Sequence, residues 1–144
     1  MKRILVIAVA TTALAVALPG VAQAKHGTPL ATPANVCRAF LEFGAGGYTS
    51  YGNCVGHFNR DVRAFRFFAD DGVTLISLDE RCRQFEQGLT DPETGEFFQI
   101  TYPFFFTEGG PEAGWPFPEY WAQNHRQCEN TLFAYHTLAS TFGG

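Results

Sequence analysis

The sequence predicts a single small α+β domain: an N-terminal helical hairpin, a central β-hairpin or small antiparallel sheet, a C-terminal helix and two disulfides. Apolar residues recur at helical spacing early and late in the chain, with a β-branched stretch and a strong turn between them. Four cysteines, an even number, follow a leader of the export type. What remains after that leader is long enough for one core and shows no internal repeat.

Residues 1–24 read as a signal peptide, with Lys2 and Arg3 as its charged start, Ile4 to Leu18 as its apolar stretch and Ala22-Gln23-Ala24 as its small-residue cleavage site. The apolar stretch is shorter than the roughly 18 residues of a membrane-spanning helix, and no later run reaches that length. No stable membrane insertion is therefore expected after cleavage, and the destination is secreted or periplasmic. Residues 25–34 are Pro- and Thr-rich without periodicity and read as a flexible lead-in to one disulfide-stabilised domain over 35–144. Loss of Lys2 and Arg3 takes the formal charge from −4 to −6. That balance argues against nucleic acid, whose phosphates need clustered cations.

Asn35 to Phe43 places Val36, Phe40 and Phe43 at helical intervals, and GAGG stops the run. Ser50 caps a second helix carrying Cys54, Val55, Phe58, Val62, Phe65 and Phe68, with Asp70-Asp71-Gly72 as its end. If the two helices fold back on each other, Cys37 and Cys54 each lie less than two turns from the connection. Of the three possible pairings this favours Cys37 with Cys54, leaving Cys82 with Cys128. No CxxC pair is present, so a cysteine-based zinc site is not expected.

Cys37, Gly46-Gly47-Tyr48, Tyr51-Gly52-Asn53-Cys54-Val55 and Phe58-Asn59 resemble a pattern of small secreted bacterial proteins of unknown function: a Cys, a GGW-like turn and NQGxCV leading into a helix. Tyr48 stands for the Trp, and GNC for NQGxC. The resemblance covers about a quarter of the mature chain and implies export and a local disulfide, with no activity to carry over.

Beyond Gly72, VTLISL suits a short strand. Ser77-Leu78-Asp79-Glu80 is a capping-box pattern, so helix and strand compete for Asp79 to Leu89. Asp91-Pro92-Glu93-Thr94-Gly95 is a strong turn. A strand from Phe97 to Tyr102 would make a hairpin across it, which tilts the preceding segment towards strand. Ile100 to Phe106 reads as core strand, and Glu119 to Thr141 as a terminal helix with Trp121, His125, Cys128, Leu132, Tyr135 and Ala139 on one face.

Catalytic signatures are sparse. His57 precedes Asp61, and His125 precedes Glu129, by four residues, so each pair shares a helix face and could supply acid–base chemistry or metal ligands. No HExxH or GxSxG is present, and oxidised cysteines are not nucleophiles. No metal and no cofactor are expected.

The aromatics remain: fifteen Phe, five Tyr and two Trp, all beyond the leader. Most must be core, because burying a Phe contributes about 1.5–3 kcal/mol. TEGGPEAGWPFPEYW is different, since its Gly and Pro forbid regular structure before Pro118. It either closes the core as a lid or displays Trp115, Phe117, Tyr120 and Trp121 to a ligand. The leading expectation is a non-catalytic binding or interaction module with a carbohydrate or a protein or peptide as ligand. A small secreted hydrolase using a His and a carboxylate is the alternative.

Overall fold

A computed structural model of the chain describes residues 29–105 and 120–141. The expected leader, and Trp115 and Phe117 with the loop that carries them, lie outside the described residues. Helix α1 spans Pro33–Phe43 and α2 spans Tyr51–Ala64; β1 (Arg66–Phe68) pairs with β2 (Leu75–Ser77); α3 follows at Leu78–Gln87. Then β3 (Leu89–Thr90) pairs with β4 (Phe97–Phe98), β5 (Phe104–Phe105) pairs with β6 (Trp121–Ala122), and α4 (His125–Thr141) closes the domain. All three two-stranded ladders are antiparallel. The α+β class, the helical hairpin and both disulfides, Cys37–Cys54 and Cys82–Cys128, are as expected.

Local chemistry sets the boundaries. Thr32 caps α1 by accepting from the Asn35 amide at 3.3 Å, and Pro33 takes the first turn, where its missing N–H costs nothing. The helix thus begins two residues before the expected Asn35, and the end of the expected lead-in is packed rather than free. Ala31 is fully buried, its carbonyl accepts from Asn130 Nδ2 at 2.8 Å, and Leu30 bridges to Trp121.

Ser50 caps α2 as expected, accepting from the Asn53 amide at 3.1 Å. The helix stops at Ala64 instead of running to Asp70, because Phe65 turns extended at φ −65° and ψ 134°. That turn lets Phe65 and Phe67 pack against the core and commits Arg66–Phe68 to the β1–β2 ladder. Asp71 closes this hairpin by accepting from the amides of Val73 and Thr74 at 2.9 and 2.8 Å.

The contest for Asp79 to Leu89 is won by helix, against the expected tilt towards strand. Ser77 accepts from the Glu80 amide at 3.1 Å, Asp79 and Glu80 occupy the first turn, and Leu78 and Cys82 are buried on one face. Gly88 ends α3 at φ 99°, and a Cβ there would collide with the Phe97 ring, so the exit requires glycine. The expected strand from Phe97 to Tyr102 lasts only to Phe98. Past it, the Ile100 amide donates to the Phe85 carbonyl at 2.9 Å, spending on α3 a backbone donor a ladder would need, and the Gln99 side chain adds a bond from Nε2 to the Glu86 carbonyl at 2.7 Å.

Helix α4 starts at His125, not Glu119. Trp121 and Ala122 are extended because they pair with Phe105 and Phe104. Asn124 then accepts from the Gln127 amide at 3.0 Å while Gln127 Oε1 accepts from the Gln123 amide at 2.7 Å, a reciprocal exchange that nucleates the helix. The main core gathers Val36, Phe40, Phe58, Val62, Leu78, Phe133 and Leu138 around α1, α2 and α4. A smaller one holds Cys82, Ile100, Ala122 and Cys128 between α3 and α4.

Candidate functional site

The Cys82–Cys128 disulfide ties α3 to α4, and both helices carry charged residues around it. On α3, Asp79 lies three residues before Cys82 and Glu86 four after it; on α4, His125 lies three before Cys128 and Glu129 directly follows it. Helical spacing puts the four side chains within a turn of the bond. His125 Nδ1 lies 2.7 Å from Glu86 Oε1, and Nε2 lies 3.0 Å from Asp79 Oδ1. The Tyr102 hydroxyl donates to the same Glu86 oxygen at 2.7 Å. On the periphery Arg83 pairs with Asp79 Oδ2 at 2.6 Å, and Arg126 with Glu129 Oε2 at 2.8 Å.

The electrostatics follow from these contacts. Partial burial works against a charged His125, but hydrogen bonds to Glu86 and Asp79 outweigh it and raise its pKa above the usual histidine value. Burial pushes Glu86 upward, and the Tyr102 and His125 hydrogen bonds overcome that and hold it below the usual glutamate value. Glu129 is only 5 % exposed, and its burial raises its pKa despite Arg126 and His125.

Of the two expected His–acid pairs, only the second joins a cluster. Asp61 accepts from Tyr48 Oη at 2.8 Å and from Arg60 Nε at 3.1 Å rather than from His57, which sits half-buried on α2. Asp79, Glu86 and Tyr102 were not foreseen. Their only sequence signal is that Asp79 and Glu86 bracket Cys82 at helical spacing, which means something only once the disulfide partner is known.

A second feature lies further along the same two helices. Phe67, Phe68, Phe85, Phe98, Leu132 and His136 line a groove of about 600 Å³, with Asp70, Asp91 and Glu93 among its acidic lining residues. Arg81 belongs to its wall and is only 7 % exposed. Its guanidinium stacks over the Phe67 and Phe85 rings at 5.6 and 5.7 Å and forks onto both oxygens of Asp70 at 3.0 and 3.1 Å. The His136 ring lies against Phe67 with centroids 4.5 Å apart and planes tilted by 36°; burial, with Arg81 adding to it, lowers its pKa and so favours the neutral ring. Phe68 and Phe98 are 61 % and 36 % exposed, so the groove presents aromatic surface to solvent.

The expected aromatic face fares differently. Tyr120 is fully buried, with its hydroxyl donating to the Asn35 carbonyl at 3.4 Å, which removes it from any exposed surface. Trp121 is partly buried in β6, paired with Phe105. Both cysteine pairs are oxidised, and among the described residues no helix is long and apolar enough to cross a membrane. Comparison of the chain with protein-family models, with curated proteins and with solved structures gave no match.

Proposed function

We propose that the protein is an exported, non-catalytic binding module whose ligand-facing surface is the Phe67–Phe85–Phe98 groove, and that its ligand is a peptide segment presenting an apolar side chain next to a basic one. The observation that carries this reading is the groove itself. Its volume of about 600 Å³ falls within the range of ligand pockets, and its aromatic lining is solvent-facing. Rings give large contact area at low entropic cost, and acidic lining residues at Asp70, Asp91 and Glu93 suit a basic neighbour. Two short ladders, β1–β2 and β3–β4, supply Phe67, Phe68 and Phe98 to the lining and leave strand edges to which an extended peptide could add main-chain hydrogen bonds.

Export is part of the same reading. It is supported by the signal-peptide pattern and by two disulfides, which persist in oxidising compartments. The hydrolase alternative is less well supported by the cluster at His125, because both ring nitrogens already face carboxylates and neither is free to take a proton from a nucleophile.

Titration of isotope-labelled protein with a panel of Phe-Arg and Leu-Lys containing peptides, followed by NMR, tests the proposal. Saturable shifts should map to Phe67, Arg81, Phe85 and Phe98, and Phe98→Ala should weaken binding at least about tenfold, as expected for loss of an aromatic anchor. Shifts that map elsewhere, or unchanged affinity in Phe98→Ala, would defeat it.

A further inference from the structure

We propose that Asp79, His125 and Glu129 form a binding site for one divalent transition-metal ion of the zinc class, using His125 Nε2 and one oxygen from each carboxylate. Ligand atoms of these three residues all lie within 4.8 Å of one another. Small side-chain rotations close that to the roughly 3–4 Å separating donors on one ion with bonds of about 2.1 Å. The donor set selects the class: carboxylates alone suit calcium or magnesium, whereas an added imidazole favours zinc and its neighbours. Three protein ligands leave a fourth tetrahedral position for water or a ligand group.

Features around the three ligands fit the same use. Glu86 lies on the opposite nitrogen, Nδ1, and is itself held by Tyr102, which is the outer support that orients a metal-binding histidine and fixes which nitrogen faces the ion. Arg83 and Arg126 take the Oδ2 of Asp79 and the Oε2 of Glu129, while Oδ1 of Asp79 is turned to Nε2. Glu129 is a carboxylate more than nine-tenths buried, whereas the Arg126 side chain paired with it is 45 % exposed. A carboxylate so placed is costly unless paired, and Arg126 meets it at Oε2 alone among the ion pairs of the described residues. The Cys82–Cys128 bond fixes the two ligand-bearing helices to each other, so the ion would find the site assembled.

The test is calorimetry of chelator-treated, oxidised protein with zinc chloride, paralleled by the visible absorption of added cobalt(II). One equivalent of zinc should bind, and cobalt should give the absorption of a low-coordinate site. Asp79→Asn and Glu129→Gln should each weaken zinc at least about tenfold, and Glu86→Gln should do so by about 10–100-fold through the orientation of His125 alone. His57→Asn should leave affinity unchanged. If Glu129→Gln does not fold, Asp79→Asn, whose side chain is 42 % exposed, carries the test. Absence of zinc binding, or full affinity in Asp79→Asn, would overturn the assignment, the latter by placing the ion elsewhere on the chain.

Discussion

His125 and His136 lie on one helix, eleven residues apart, in opposite surroundings. His125 faces Glu86 and Asp79, with Glu129 one turn on, and its neighbours favour the charged ring. His136 lies against Phe67 and Phe65 near Arg81, and its neighbours favour the neutral ring. The same pairing of α3 with α4 therefore builds a charge-holding site at one end and an aromatic groove further along. Helix α3 contributes to both, through Asp79 and Glu86 to one and Arg81 and Phe85 to the other. Phase on a helix separates these roles within a few residues.

The disulfide beside the charged site should matter most. Its Cys82–Cys128 loop spans 46 residues against 17 for Cys37–Cys54. Loop-closure entropy then gives about 4 kcal/mol for the first and about 3 kcal/mol for the second. Urea unfolding of Cys82→Ser/Cys128→Ser and of Cys37→Ser/Cys54→Ser should show that order, and the reverse order would mean that the α3–α4 pairing is not held chiefly by its crosslink.

Phe85→Ala comes next, at about 2 kcal/mol, because the ring is half-buried between the smaller core and the groove. It should perturb His136 more than His125 in NMR spectra. Equal effects would deny that the two sites are separate.

A smaller effect separates the histidines by sign. His136 is depressed in the folded chain, so the unfolded chain binds more protons around the unperturbed value of about 6.5. Its contribution to stability is full above about pH 6.5 and is lost as pH falls through its folded value. His125 is raised, so its contribution is full below about pH 6.5 and is lost as pH rises through its folded value. The two oppose each other in the wild type. In His136→Asn, stability followed between mildly acid and mildly alkaline pH should therefore decline more steeply with rising pH than in the wild type. A shallower decline would contradict the assignment.

The smallest effect is expected from Asp70→Ala. Its side chain is 77 % exposed, so its fork with Arg81 contributes less than about 1 kcal/mol despite good geometry. A larger loss would mean that Asp70 is needed to hold Arg81 between its two rings.

What the sequence revealed was local. The caps at Ser50 and Ser77, the Asp91–Gly95 turn and the fold-back that joins Cys37 to Cys54 each depend on residues close in the chain. Thr32 and Pro33, which start α1 early, are local too, but the other misjudged ends depend on distant partners. Phe65 leaves α2 to reach Phe133, Trp121 is held extended by Phe105, and Ile100 is drawn off its strand by the Phe85 carbonyl. The site divides in the same way. His125 and Glu129 were visible as a helical pair, whereas Asp79 and Glu86 lie 46 and 39 residues from His125 and reach it only through tertiary packing. The groove was hidden because its rings, from Phe67 to Phe98, carry no spacing that distinguishes them from core phenylalanines.

NMR titration of the two imidazole rings in the metal-free, oxidised protein tests the division of α4 most directly. His125 should titrate above the ordinary histidine value and His136 below it, with the order preserved in Phe98→Ala. Coincident or reversed titrations would contradict the assignment of a charged site to the start of α4 and a neutral aromatic one to its middle.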